Sequence, residues 1–363
     1  MFNKKIGILT WHYYNNFGSA LQSYALQKTI KDLGFQAEII NYRNIKYNGS
    51  PIIRKIEKNK RIFYVICKIC NKYSTYSFSN FRRKYLNQTK PYYSEEDLKT
   101  CPNYAAIVVG SDQIWAPNVF NPVYMLNFLD SSTIKKVSYA ASVGLDNIPI
   151  NLKAEYSKYL SDFAHVSVRE KDGAELLKKV LNIDAKVVLD PTLLLKIKDY
   201  MEIEKSIKHI DKPFAFCYFL NSDNNYEKKV RDFCDKKNLK IIGVSARDRD
   251  STWMSLINRK VGPSEFLWLI HNSNVVFTDS YHGTIFSLLY NKKFYTFMRF
   301  KSDDPICQNS RIRQLESIFD IKDFVVNGGD NIDDSKSMNY NKFKILLDAY
   351  KAESIKYLEG ALQ

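Results

Sequence analysis

The stretch KIGILTWHYYNNFGSALQSYALQKTIKDLGFQAEIIN, residues 5–41, contains a complete strand–helix–strand unit. Its first part, Lys5–Thr10, is a short apolar run typical of a buried strand. Apolar residues then recur at helical spacing over Ser19–Leu33, and Gly34 supplies a helix stop. A second apolar strand follows at Phe35–Asn41. Because two strands joined by a helix pair in parallel, this unit predicts an α/β fold with a parallel sheet.

The alternation of strands and helices resumes after residue 100 and runs in two series. The first series ends at Asp190-Pro191, since proline cannot continue a buried ladder, and a polar linker at about Lys196–Lys212 follows. The predicted strands of the two series are 105–109, 137–141, 166–169 and 186–189, then 214–220, 240–244, 275–278 and 294–298.

These two series predict two facing Rossmann-like domains, residues 1–196 and 197–340, with the ligand site in the cleft between them. The chain ends in a long helical pattern at 341–363. We expect this helix to pack back on the first domain, which would complete a glycosyltransferase-B-like arrangement.

A basic helical insertion, residues 43–100, interrupts the first domain. Between Arg43 and Lys90 it holds thirteen Lys and Arg and one acidic residue, Glu57, which gives +12 of the net charge of +15. Such a block is typical of surfaces that bind nucleic acid, phosphate-rich ligands or an anionic membrane. No recognised nucleic-acid motif accompanies it, so we expect no nucleic-acid partner. Two interpretations stay open: a peripheral contact with an anionic membrane through apolar and basic residues at 52–69, and a soluble insertion with solvated lysines.

The composition excludes several classes of protein. A length of 363 residues with 45% hydrophobic residues suits two soluble domains. No run of about 18 apolar residues is present, so a spanning helix is excluded, and the first apolar run is too short for a signal peptide. We therefore expect a cytoplasmic protein, with the inner face of the membrane as the place of any peripheral contact. Cys67 and Cys70 form a C-x-x-C without a second ligand pair, so no metal site is expected.

Candidate ligand-binding residues of the first domain follow its predicted strands, because ligands bind beyond the carboxyl ends of parallel strands. The first loop lacks a G-x-G-x-x-G fingerprint, but a helix start there can still bind an anion. A plain turn capped by Ser19, a helix cap at Asp112 and close backbone packing around Ser142 are the alternatives. The candidates for substrate binding are Asn16, Gly18, Ser19, Ser111, Asp112, Gln113 and Ser142.

Two residues are candidates for catalysis. Arg169 ends a predicted strand, where its guanidinium can clamp a carboxylate or phosphate, and a salt bridge with Glu170 is the alternative. His282 lies in the stretch TDSYHGT, residues 278–284, at a helix start suited to an anion, and can act there as general acid or base. Further candidates for substrate binding in this half are Ser280, Gly283, Thr284, Arg311 and Arg313, although the two arginines can also lie on a solvated helix face.

Six blocks of this sequence resemble those of the polysaccharide pyruvyl transferase family, and they appear in the same order. They span roughly residues 5–298 and read GILTWHYYNNFGSALQSYALQ, VVGSDQIW, SYAASVG, SVREKDGAELL, VVLDPTLLL and FTDSYHGTIFSLLYNKKF. The resemblance implies a glycosyltransferase-B-like fold and, as functional positions, Arg169 and His282.

The resemblance also implies a reaction. A pyruvyl group passes from phosphoenolpyruvate, the co-substrate, to a saccharide of a cell-surface polysaccharide or of its lipid-linked precursor, forming a pyruvate ketal without a metal or other cofactor. Better-studied members carry an arginine two residues before the histidine, whereas this chain has Ser280 there. Arg169, Arg311 or Arg313 would then have to hold the donor's anionic groups. A nucleotide-sugar-dependent glycosyltransferase of the same fold is the alternative, and the serine favours it.

Overall fold

Two parallel sheets form the framework of the protein. A computed structural model describes residues 4–43, 73–129, 134–210, 213–221, 224–245, 255–256, 261–300, 304 and 307–363. The first sheet has the order β2-β1-β3-β4, and its strands are Lys5–Leu9 (β1), Gln36–Ile39 (β2), Ala106–Val109 (β3) and Lys135–Ser138 (β4). Ser167–Val168 (β5) and Lys186–Val187 (β6) form a parallel pair beside it, joined by bridges such as Ala141 to Val168.

The second sheet has six strands in the order β12-β11-β10-β7-β8-β9. Its strands are Phe214–Phe219 (β7), Lys240–Ser245 (β8), Ser255–Leu256 (β9), Val275–Thr278 (β10), Lys293–Phe297 (β11) and Val325–Val326 (β12). All pairings between the described strands of both sheets are parallel, as the strand–helix–strand pattern predicts. The strand β7 is buried along its whole length, because helices cover both faces of such a sheet.

Helices connect the strands of both sheets. In the first half they are Phe17–Asp32 (α1), Tyr73–Tyr85 (α2), Glu95–Leu98 (α3), Ile150–Leu160 (α4), Lys171–Leu181 (α5) and Ile197–Met201 (α6). In the second half they are Asn224–Lys237 (α7), Pro263–Asn272 (α8), Tyr281–Leu289 (α9), Ser310–Phe319 (α10) and Tyr340–Leu362 (α11). Short 3₁₀ turns lie at Pro117–Val119, Pro122–Met125, Pro191–Leu193 and Lys322–Phe324. Among the helices that the structure describes, none has the length and apolar character needed to cross a membrane.

An aromatic cluster packs the two sheets' layers against each other. Phe17, at the start of α1, stacks on Phe266 of α8 with ring centroids 4.5 Å apart, and its edge meets Tyr218 of β7 at 5.3 Å. Phe78 of α2 contacts the same Phe17 ring at 5.0 Å. Such burial of large rings is a major source of stability, so the loop after β1 is held firmly against the second domain.

The C-terminal helix α11 lies against the first half of the chain. The Tyr357 hydroxyl donates to the Ser138 carbonyl at 3.0 Å, at the end of β4. The backbone N–H of Leu189 donates to the Ser354 hydroxyl, also at 3.0 Å. These contacts pack the C-terminal helix on the first domain.

Most predicted elements are present, with ends displaced by a few residues. The predicted helix over Ser19–Leu33 begins earlier, at Phe17, because Asn16 and not Ser19 is the N-cap. The short elements α3, α6, β9 and β12 were not predicted, since each has too few residues to show a period. Residues 44–72 of the predicted helical insertion lie outside the described residues, and α2 begins directly after them.

Candidate active site

A cavity of about 780 Å³ lies between the two domains, at the carboxyl ends of their strands. Its first-domain wall follows β1 and β3, and its second-domain wall follows β7, β10 and β11. The residues of the first wall are Trp11, Tyr14, Asn16, Ser19, Tyr42, Asp112, Gln113, Val119, Phe120, Asn121 and Pro122. Those of the second wall are Leu220, Ser280, Tyr281, His282, Arg299, Gln308 and Arg311. One wall is thus largely aromatic and apolar, and the other carries two arginines and a histidine.

The starts of helices α1 and α9 meet at the base of this cavity. Asn16 caps α1 by accepting the Ser19 N–H at 3.0 Å, and Ser280 caps α9 by accepting the Gly283 N–H at 3.3 Å. Gly18, in the first turn of α1, faces the imidazole of His282 so closely that a Cβ there would lie 2.0 Å from Nδ1. Both helix starts place partial positive charge on the same volume, which suits an anionic ligand.

Asp190 connects the catalytic candidates of the two domains. Its Oδ2 lies 3.1 Å from Nη1 of Arg169, 3.5 Å from Nε2 of His282 and 3.0 Å from the Ser111 hydroxyl. Its Oδ1 accepts from the N–H and hydroxyl of Thr192 at 3.0 and 2.6 Å. Burial alone would raise the pKa of Asp190, but interactions with His282 and Arg169 outweigh burial and hold that pKa below its usual range. The carboxylate is therefore ionised and fixes the orientation of both side chains.

Arg169 is buried among carboxylates and does not belong to the cavity wall. Only 2% of the residue is exposed, and beside Asp190 it lies 3.8 Å from Asp112 and 3.7 Å from Glu170. Its guanidinium also lies over the Tyr281 ring, 4.5 Å from the centroid. This corrects the expectation of a guanidinium that points into the cleft, because three acidic residues of its own domain hold it inside.

The loop after β3 forms the floor next to Arg169. Asp112 has a positive φ of 75° and accepts from the Ser19 hydroxyl at 2.5 Å, so no helix cap is formed there. Gln113 lines the cavity beside it, and the Gly110–Ser111 peptide is cis. The Ser142 hydroxyl donates to Glu170 at 2.7 Å, and the Gly144 N–H donates to the same Oε1 at 3.1 Å. These residues support the site from behind.

Two arginines stand on the second wall without an ion-pair partner among the described residues. Arg299 follows β11, and Arg311 lies in the first turn of α10. Their Nη2 atoms lie 3.5 and 2.8 Å from the Gln308 amide oxygen. Burial, and then the charges of Arg169 and Arg299, lower the pKa of Arg311 to about 9, so it stays protonated at neutral pH.

The predicted site residues fall into three groups. Seven contribute directly to the cavity wall: Asn16, Ser19, Asp112, Gln113, Ser280, His282 and Arg311. Six are buried behind it or against His282: Gly18, Ser111, Ser142, Arg169, Gly283 and Thr284. Arg313 does neither, because it projects from the solvated face of α10 and is exposed. Its prediction as a substrate-binding residue is therefore corrected, since Arg311 and Arg313 point to different sides of one helix.

Several site residues were not predicted from the sequence. Arg299 comes right after β11, so the rule that selected Arg169 at a strand end would have selected it too. Asp190 follows β6 in the same manner but was interpreted only as the end of a series. The aromatic residues Trp11 and Tyr14 carry no pattern that separates a cavity wall from a core. No group of three or more His, Cys, Asp or Glu that could hold a metal ion occurs among the residues the structure describes.

The fold is a two-domain α/β architecture of the glycosyltransferase-B type, as predicted. The family model for polysaccharide pyruvyl transferase matches residues 16–302. Because this match takes in most of the chain, the protein belongs to the polysaccharide pyruvyl transferase family.

Solved structures of low sequence identity share the fold. The UDP-N-acetylglucosamine 2-epimerase from Rickettsia bellii is 8% identical with a TM-score of 0.53, covering 99% of this chain and 97% of its own. The Methanocaldococcus jannaschii UDP-GlcNAc 2-epimerase is 12% identical, with a TM-score of 0.50 and coverage of 95% and 91%. The Neisseria meningitidis enzyme bound to UDP-GlcNAc is 9% identical, with a TM-score of 0.50 and coverage of 99% and 94%. Among curated proteins, no sequence matches this chain.

Proposed function

We propose that the protein transfers the pyruvyl group of phosphoenolpyruvate to a saccharide, forming a ketal across two of its hydroxyls. One observation supports this proposal above the others. His282 stands on the cavity wall at two helix starts, with Nε2 held 3.5 Å from Asp190. The Asp190 carboxylate thus orients an imidazole that lines the cavity, where it can exchange a proton with a ligand.

The chemistry requires a proton donor and a cationic wall. In the proposed reaction His282 protonates the methylene carbon of phosphoenolpyruvate, and the adjacent carbon becomes an oxocarbenium-like centre. A sugar hydroxyl adds to that carbon and releases its proton, which restores His282. A second hydroxyl of the sugar then displaces phosphate from the same carbon and gives up its proton to the leaving group. The products are the pyruvate ketal and inorganic phosphate.

The protein would act on this reaction mainly through position and charge. The start of α9, capped by Ser280, directs backbone N–H groups and a positive dipole end at the donor. Arg311 and Arg299 add full positive charge on the same wall. Such preorganised donors stabilise the charge that develops in the transition state better than water does.

The opposite wall suits the acceptor. Trp11, Tyr14 and Phe120 present aromatic rings to the cavity, next to the polar Asn121. Aromatic rings bind the apolar faces of sugars, while hydroxyls need polar neighbours to fix their orientation. The proposed acceptor is a saccharide of a cell-surface polysaccharide or its lipid-linked precursor. The basic insertion gives a reason for contact with an anionic membrane where such precursors are assembled.

The test is incubation of the purified protein with phosphoenolpyruvate and a panel of methyl glycosides and lipid-linked oligosaccharides. We expect release of inorganic phosphate that depends on the acceptor, together with a product whose mass shows one added pyruvyl ketal. A parallel series replaces phosphoenolpyruvate by UDP- and GDP-sugars. Glycosyl transfer in that series, with no ketal in the first, would overturn the proposal in favour of a nucleotide-sugar-dependent glycosyltransferase.

A further inference from the structure

We propose that Arg299 and Arg311 together form a binding site for a doubly charged phosphate group. The anion site itself rests on the geometry of the second-domain wall. Its assignment to the phosphate of phosphoenolpyruvate rests, in addition, on the proposed function.

The first support is the Nε atom of each arginine, which is buried and has no hydrogen-bond partner among the described residues. Arg311 is 9% exposed, and its Nε is buried and bonded to none of the described residues. The Nε of Arg299 is buried and unpartnered in the same way. A buried donor without an acceptor costs free energy, and a bound ion near the guanidinium is one way to offset that cost.

The second support is the absence of a neutralising carboxylate. Within the described part of the chain, no acidic oxygen lies within 4.0 Å of either guanidinium. Gln308 bridges the two Nη2 atoms with a neutral amide oxygen, which satisfies one donor on each but cancels no charge. Asp279 attracts Arg299, yet its two oxygens already accept from the N–H groups of Leu220 and Asn221 at 2.6 and 3.0 Å.

The third support is that both groups face one cavity together with His282. Two planar guanidinium forks can each donate a pair of parallel hydrogen bonds, and a phosphate monoester offers three oxygens and two negative charges to receive them. A singly charged carboxylate would leave one of the two arginines unneutralised. The pair therefore fits a phosphate better than a carboxylate.

This site explains how the chain works with Ser280 at the position where related sequences carry arginine. Ser280 is committed to capping α9, where its hydroxyl accepts from Gly283 at 3.3 Å. The positive charge comes instead from the end of β11 and the start of α10, which reach the same cavity from a neighbouring part of the sheet.

The experiment measures binding of inorganic phosphate and of phosphoenolpyruvate to the full-length protein by calorimetry. Variants are Arg299→Gln, Arg311→Gln and, as a matched control on the same helix, Arg313→Gln. Loss of a charge-assisted hydrogen-bonding group corresponds to about a tenfold to hundredfold weaker binding for each of the first two variants. Arg313→Gln should bind as the unaltered protein does, because its side chain is exposed.

Circular dichroism and thermal melting check that each variant folds. If a glutamine variant fails to fold, Arg299→Lys and Arg311→Lys replace it, and we expect weakened but measurable phosphate binding from each. Unchanged phosphate affinity in Arg299 and Arg311 variants, or an equal loss in Arg313→Gln, would refute the site. Phosphate binding that depends on both arginines, without any pyruvyl transfer, would retain the site and refute the proposed function. Pyruvyl transfer with donor binding that is independent of both arginines would retain the proposed function and refute the site.

Discussion

Gly18 and His282 belong to different domains and lie in direct contact, so that no further atom fits between them. A Cβ on Gly18 would lie 2.0 Å from Nδ1 and 2.8 Å from Cε1 of the imidazole. A glycine in the first turn of α1 is therefore what allows the histidine of α9 to reach the cleft. Helix propensity alone would favour alanine at this position.

This contact predicts a strong coupling between the two residues. We expect Gly18→Ala to lower the free energy of unfolding by about 1–3 kcal/mol through overpacking. In a His282→Ala background the same change should cost little or even stabilise, because the ring it strikes is gone. Urea unfolding of the four proteins of this cycle measures the coupling. Gly360→Ala, in α11 with nothing within 4 Å of the added Cβ, is the control and should be neutral or stabilising.

The proposed role of His282 as general acid predicts a loss of turnover without a loss of fold. His282→Ala should reduce phosphate release in the presence of an acceptor by roughly 10²–10⁴-fold, the usual contribution of general acid–base catalysis. The variant should keep its circular dichroism spectrum and cooperative melting, although its melting temperature falls because Asp190 loses one of its two cationic partners. Full activity per folded molecule in this variant would return His282 to a structural role.

The position of Asp190 predicts a stability effect that depends on pH. Asp190→Asn leaves Arg169 and His282 without their shared carboxylate, and we expect a loss of about 3–5 kcal/mol at pH 7, as for other broken buried pairs. Because the pKa of Asp190 is held low in the folded protein, its contribution is complete above the unfolded value, about 3.9, and declines as the pH falls below it.

The difference between Asp190→Asn and the unaltered protein should therefore shrink towards pH 3, measured by denaturant unfolding at both pH values. Asp184→Asn is the matched control, since its pair with Lys178 at 2.8 Å is exposed. It should change the free energy of unfolding by less than about 1 kcal/mol. A difference for Asp190→Asn that grows at low pH would contradict the assignment.

The phosphate site predicts a loss of affinity in alkaline solution. The pKa of Arg311 is about 9 in the free protein, so the group is charged below that pH and loses its proton above it. The charged and titratable groups that act on it are Arg169, Arg299, Asp112, Glu170 and Tyr281. Above that pH, Arg311 must take up a proton from solvent when phosphate binds. The affinity for phosphate should therefore fall by up to about tenfold per pH unit above pH 9. Calorimetry from pH 7 to pH 10.5 measures this fall in phosphate affinity. The Arg311→Gln variant should not show the fall that comes from deprotonation of Arg311.

The basic insertion predicts binding to anionic vesicles. Flotation with phosphatidylserine-containing vesicles at low salt should carry the protein upward, whereas neutral vesicles or high salt should not, because surface charge is screened. Arg83 and Lys84 of α2 are exposed, and reversing both to Glu should weaken binding about thirtyfold or more, at about 1 kcal/mol for each basic residue. The same reversal at the exposed Lys178 and Lys179 of α5 is the control. If the protein ignores anionic vesicles at low salt, the charge serves an acidic acceptor or no ligand.

Local periodicity was sufficient to place most of the longer helices and strands. Strand Val275–Thr278 has the predicted bounds, because β-branched residues dominate it. His282 was recognised for the same local reason, since it directly follows a strand whose carboxyl end opens on a cleft. Arg313 was predicted wrongly as a substrate-binding residue. The sequence placed it near a helix start but did not show which face of that helix meets the cavity.

By itself the sequence determined the parallel α/β architecture, the division into two series of strands and the histidine at the start of α9, since each is set by neighbours within a few residues. Only the tertiary structure decided which side chains meet across the cleft. Gly18 lies on His282, and Asp190 takes Arg169 away from the cavity, through contacts between segments distant in sequence. Arg299 and Arg311 become a pair only when β11 and the start of α10 come together. Charges and close approaches depend on distances in space, and a linear pattern contains no record of them.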